Sequence, residues 1–128
     1  MEFDFVTTED NVATYRSSHE IFVGLIREVR ELSRKKPEAT MSTGKVKIVN
    51  RVIEDLLTFL KDGPEGKYLE VLDTQALPQV SDAVLTMVQF ETAIDKFRDR
   101  HLRRVEGKMY WITKELLASW EEKASEAG

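Results

Sequence analysis

Cysteine is absent from all 128 residues, which excludes disulfide scaffolds, thiolate-bound zinc, iron–sulfur clusters and thiol nucleophiles. Proline and glycine are scarce, with 3 and 6 copies, too few breakers for the many turns of an all-β chain. Long apolar runs are missing too. The longest, counting glycine, is Ile21-Phe22-Val23-Gly24-Leu25-Ile26, against the roughly 18 residues that span a bilayer. The opening stretch, MEFDFVTTED, holds four acids and no base, unlike the basic start of a secretory signal. The expectation is a soluble, cytoplasmic chain with no membrane partner.

What is present is 41% hydrophobic and 33% charged residues, with no repeat and no low-complexity linker. That composition suits one helical domain over residues 1–128 and carries too much apolar material for a disordered chain. At this length about two-thirds of the unfolded surface can be buried, so no metal or disulfide is required.

Apolar spacing places the helices. The first begins near Thr7 or Thr8, where a hydroxyl can accept from a free N–H and Glu9 and Asp10 suit the positive dipole end. Val12, Tyr15, His19, Phe22, Ile26 and Val29, widened by Leu25 and Leu32, form one stripe that ends around Lys35-Lys36, before Pro37. The second, capped near Ser42 or Thr43, carries Val46, Ile48, Val49, Val52, Ile53, Leu56, Leu57, Phe59 and Leu60 over more than half its circumference. Lys61-Asp62-Gly63-Pro64 stops it. A short helix is expected over Lys67 to Asp73. The third long helix starts around Pro78, with Val80, Val84, Met87, Val88, Phe90, Ala93, Ile94 and Phe97 on its apolar face. Its pattern is unbroken until Gly107. From His101 to Thr113 a helical or irregular path is preferred to a small hairpin joining Arg103-Arg104-Val105 to Lys108-Met109-Tyr110, since so short a pairing needs the bundle behind it. Thr113 caps a last helix with Leu116, Leu117 and Trp120, and Ala124 to Gly128 read as a frayed tail. The expected fold is all-α, an antiparallel bundle of four main helices with one short extra helix.

Charge is unevenly spread. Residues 27–51 hold eight bases against three acids, residues 96–108 six bases against two, and residues 1–10, 54–73 and 74–95 are each net acidic, so the overall −4 is a cancellation. In an up-down-up-down bundle the end of the first helix, the start of the second and the end of the third share one pole. Arg34, Lys35, Lys36, Lys45 and Lys47 should then converge with Arg98, Arg100, Arg103 and Arg104. A basic run is often only a solvated face with internal pairs such as Asp99 to Arg103 at i,i+4. Read functionally, it is a site for a phosphate or an acidic partner, because the arginine fork makes two bonds to either.

Catalytic vocabulary is thin. His19 lies in an apolar stripe, where a buried, hydrogen-bonded role is the ordinary one. His101, between bases that lower its pKa, is the better proton acceptor. The arginine four to six residues before a histidine that marks one class of helical ribonucleases is missing, for only Lys96 stands at that spacing before His101. No Glu-x-x-His pair supports a two-metal site. Ser42-Thr43-Gly44-Lys45 lacks the leading glycine and the trailing hydroxyl of a phosphate loop, and Gly-x-Ser-x-Gly is absent. No catalytic residue, metal or cofactor is assigned. The leading expectation is a non-enzymatic module that binds another protein through its Arg-rich end, as a regulator, adaptor or inhibitor. His101 lies within that surface, and Tyr110 and Trp111 are its aromatic contacts, although one of the two and Trp120 also fit a core. Nucleic-acid binding by the same bases is the alternative, and a His101-dependent ribonuclease is the third reading. Self-association is left open.

Overall fold

In the computed structural model, which describes residues 2–127, the chain is mostly helical. Thr8 caps the first helix, α1 (Glu9–Lys35), by accepting a hydrogen bond from the Asn11 N–H, and Arg34 and Lys35 occupy its last turn. Both ends thus follow the dipole. Its buried stripe is Val12, Tyr15, Ser18, Phe22, Ile26 and Val29. Ser18 rather than His19 turns inward, with its hydroxyl donating to the Thr14 carbonyl. Ser42 caps α2 (Thr43–Leu60), which buries Val46, Val49, Asn50, Val52, Ile53, Leu56, Phe59 and Leu60. Its wide apolar face packs mainly on α1.

Beyond α2 the chain departs from expectation. Instead of a helix over Lys67 to Asp73, a 3₁₀ turn runs from Pro64 to Tyr68, and the residues from Leu69 to Asp73 are non-helical. Two contacts account for this. Gly66 passes so close to the end of α2 that a Cβ there would stand 2.1 Å from the Lys61 carbonyl oxygen. Further on, the amide of buried Asn50 accepts from the Leu72 N–H (2.8 Å) and donates to the Leu72 carbonyl (2.9 Å). A side chain satisfies this main chain, so no helical turn is needed to do it. Leu69 and Leu72 are buried against the helices.

The extended crossing returns the chain to the pole where α1 ends and α2 begins. There Thr40 bridges Gln79, Met41 N–H bonds the Pro78 carbonyl, and Val80 N–H bonds the Ala39 carbonyl. The third helix, α3 (Val80–His101), therefore starts two residues past Pro78 and runs parallel to α2, not back against it. The strict up-and-down order is replaced because the non-helical stretch after Tyr68, though bent at residues 74–76 where Asp73 accepts from the Gln75 and Ala76 N–H groups, is long enough to run back along the ~27 Å of the 18-residue α2.

α3 stops at His101, six residues before Gly107, and a hairpin follows: β1 (Leu102–Val105) pairs antiparallel with β2 (Lys108–Trp111), Arg103 opposite Tyr110 and Arg104 opposite Met109. This overturns the preferred helical or irregular path. Glu106 (φ 49°) and Gly107 (φ 86°) form the two-residue turn with both φ positive, the requirement of a type I′ hairpin. Trp111 anchors it, with ring centroids 4.9 Å from Tyr15 and 5.8 Å from Phe97.

Thr113 accepts from the Leu116 N–H at the start of α4 (Lys114–Ala127), which continues through the expected tail; Gly128 lies outside the described residues. α4 buries no residue fully and docks through Trp120, edge-on to Tyr110 at 5.2 Å and 6.5 Å from Phe3. The expected four-helix bundle is thus a three-helix core in which α1 opposes α2 and α3, because α4 offers only a half-buried strip. No helix is long and apolar enough, among the described residues, to cross a membrane.

Candidate functional site

The parallel course of α2 and α3 decides where the charges go. Arg34, Lys35, Lys36, Lys45 and Lys47 sit at the pole where α3 begins; Arg98, Arg100, His101, Arg103 and Arg104 sit at the pole where it ends. The expected convergence of the two basic clusters does not occur, since α3 enters the bundle from the opposite end to the one an alternating order needs.

At the first pole much of the charge is matched. Arg34 and Lys35 both reach Glu31, at 2.7 and 3.8 Å, and Arg30 forks onto Glu91 of α3. Lys36, Lys45 and Lys47 are exposed without a carboxylate partner among the described residues.

At the second pole Arg98 bonds Asp95 at 3.2 Å, and Arg100 makes a two-pronged contact with Glu65 beside the 3₁₀ turn. That contact is only 22–23% exposed. The guanidinium holds the Glu65 carboxyl below the usual carboxylate range, and the carboxylate in turn raises Arg100. Arg103, Arg104 and Lys108 stand exposed on the hairpin, with no carboxylate within ion-pair reach among the described residues. The i,i+4 pair of Asp99 with Arg103 does not form, because the helix ends between them and Arg103 belongs to β1. Arg104 instead donates to the Gly107 carbonyl and braces the turn.

His101 closes α3. Its ring lies 4.7 Å from Phe97 and edge-on to Phe5, and its Nδ1 is buried without a hydrogen-bond partner. Burial is the largest cause of a lowered pKa; the charge of Arg100 adds to it, while the Phe5 main chain acts in the opposite sense. Beside it opens a cavity of about 400 Å³ lined by Phe5, Thr7, Phe59, Leu60, Arg100 and Phe97. His19 is far along α1, half-buried and stacked on Tyr15 at 5.0 Å. Of the two aromatic contact residues, Trp111 packs inward and Tyr110 meets α4.

Comparison with models of known protein families, with curated proteins and with solved structures found no match. The chain's own geometry therefore carries the reading. Three features of the second pole were missed in the sequence: Glu65 as the partner of Arg100, the N-terminal segment over His101, and the half-exposed Met109 on β2. Only Met109 left a signal, its place in a short alternating run after Glu106-Gly107.

Proposed function

We propose that the protein is a non-enzymatic interaction module that binds another protein through its basic hairpin. The observation that carries this is the set Arg103, Arg104 and Lys108, exposed on the paired strands of one short hairpin and unmatched by carboxylates among the described residues. Paired strands fix the main chain from which these cations project, so no loop has to be ordered on binding, and arginine forks suit the carboxylates of an acidic partner. Half-exposed Met109, directly across the strands from Arg104, adds an adaptable apolar contact. Arg100 and Arg98 are occupied by Glu65 and Asp95 and act as supports.

Nucleic acid is the second reading raised by the bases. With the clusters at opposite poles, only three unmatched cations remain on the hairpin, enough to neutralise about three phosphates and to give a log–log salt slope near −2.7 on duplex DNA. Such a footprint binds weakly at physiological salt.

The test compares the wild type with Arg103→Glu/Arg104→Glu/Lys108→Glu in quantitative cross-linking and capture, alongside binding to synthetic RNA and duplex DNA. A partner retained by the wild type and lost by the triple variant, with no nucleic-acid binding at moderate salt, supports the reading. Equal capture by both proteins refutes the role of the hairpin. Tight, steeply salt-dependent binding of RNA or DNA replaces a protein partner with a nucleic acid.

A further inference from the structure

β2 has a free outer edge. Val105 and Lys108 close the hairpin, and Ile112 N–H bonds the His101 carbonyl at 2.7 Å in the same register. Main-chain groups two residues apart point the same way, so Tyr110 faces β1 while Met109 and Trp111 turn their N–H and C=O outward. Thr7 leaves that edge open, because it bonds the Ile112 carbonyl and the Lys114 N–H on the β1 side. No side chain or other segment among the described residues bonds the outward groups of Met109 or Trp111. For half-buried Trp111 this leaves main-chain polarity without a protein partner.

A groove of about 650 Å³ runs beside the edge, walled by Asp10, Ala13 and Arg16 of α1. β2 lies antiparallel to α1 along it: Thr113 is next to Thr7 at one end, and Trp111 rests on Tyr15 farther on. Along that antiparallel course the groove carries opposite charge at its two ends, Glu9 and Asp10 toward Thr113 and Arg16 toward Met109. Ala13 is midway between Asp10 and Arg16, as Tyr110 is midway between Met109 and Trp111.

We propose that this edge pairs with the same edge of a second copy of the chain, about a two-fold axis passing by Tyr110 and Ala13. In that antiparallel register Met109 faces Trp111 of the second copy, in two main-chain-bonded pairs that join thioether to indole. Lys108 faces Ile112 of the second copy, so no like charges oppose each other across the strands. Asp10 turns toward Arg16 of the second copy, and the reverse. A groove acidic at one end and basic at the other is self-complementary under a two-fold rotation, which is what an isologous dimer requires. The proposal uses the outer main-chain edge of β2 and not the side chains of Arg103 and Arg104; it shares Met109 with the partner reading above, whose test leaves that residue unchanged.

Sedimentation velocity over a concentration series tests it on the full chain. The wild type is expected to show a reversible monomer–dimer equilibrium. Met109→Pro deletes one outward N–H and leaves the bonds to β1 intact, so it should be monomeric where the wild type is dimeric. Arg104→Pro makes the same deletion on the outer edge of β1 and should still dimerise. Arg16→Glu should weaken association about tenfold, the scale of two lost surface ion pairs, and Asp10→Lys/Arg16→Glu should recover it. Six residues apart on one helix, these two side chains are not neighbours, so recovery reports contact between copies. A wild type monomeric at every concentration overturns the proposal, as does dimerisation unchanged in Met109→Pro. If circular dichroism shows that Met109→Pro fails to fold, the charge exchange decides: no recovery in the double variant overturns it.

Discussion

Replacing Asn50 by alanine should be among the most damaging single changes available outside the apolar core. Among the described residues the asparagine amide is the sole partner for both the N–H and the carbonyl of Leu72, and both Asn50 and Leu72 are buried. Alanine strands both main-chain groups away from water. Each buried polar group left unsatisfied costs about 1–3 kcal/mol, so the expected loss for two is about 2–6 kcal/mol, a large part of the 5–15 kcal/mol typical of a domain. The urea midpoint should fall by about 1–3 M if the slope is near 2 kcal/mol/M. Asn50→Asp sharpens the test. It keeps an acceptor for the Leu72 N–H but sets a carboxylate against the Leu72 carbonyl, which raises its folded-state pKa above the unfolded value near 3.9. Stability of this variant should therefore be highest below about pH 4, where the neutral acid can donate to the carbonyl. It should fall as pH rises toward the folded pKa. Chemical denaturation of both variants at several pH values measures all of this. A loss below about 0.5 kcal/mol in Asn50→Ala would refute the claim that this amide holds the crossing segment in place.

Gly66→Ala should lower the thermal midpoint, because its Cβ would lie 2.1 Å from the Lys61 carbonyl oxygen and main chain must move; overpacking of this kind costs about 1–3 kcal/mol, and an unchanged midpoint would contradict the close approach. His101 has a lowered folded-state pKa, so the unfolded chain binds a proton first as pH drops below about 6.5. Its contribution to stability is complete above that value and is lost toward the folded pKa. His101→Phe should flatten the dependence in denaturation at pH 5–7. Glu106→Asn places at φ 49° a residue that tolerates the left-handed region, next to Gly107, and should raise stability by about 0.5 kcal/mol in calorimetry.

Local chemistry was legible along the chain. Thr8 and Ser42 cap the helices where hydroxyls precede apolar periodicity, and Pro37 and Gly63-Pro64 bound them as breakers do. Non-local chemistry was not. The Asn50 amide meets Leu72, 22 residues away, and Arg100 meets Glu65 at a distance of 35, spacings that no helical period encodes. The hairpin sat between the two cases. Its Glu106-Gly107 turn was visible, but eight strand residues are marginal alone and persist because Trp111 reaches Tyr15 and Phe97.

By itself the sequence determined the helical class, the ends of α1 and α2, the apolar faces and the uneven charge, because these follow from propensity, capping and period over a few residues. Tertiary structure alone decided that α3 runs parallel to α2, that α4 stays outside the core, and that the two basic clusters face opposite poles. The reason is the crossing segment: its path is set by the buried Asn50 amide of α2, which satisfies Leu72, and by the close approach of Gly66 to the Lys61 carbonyl that follows α2.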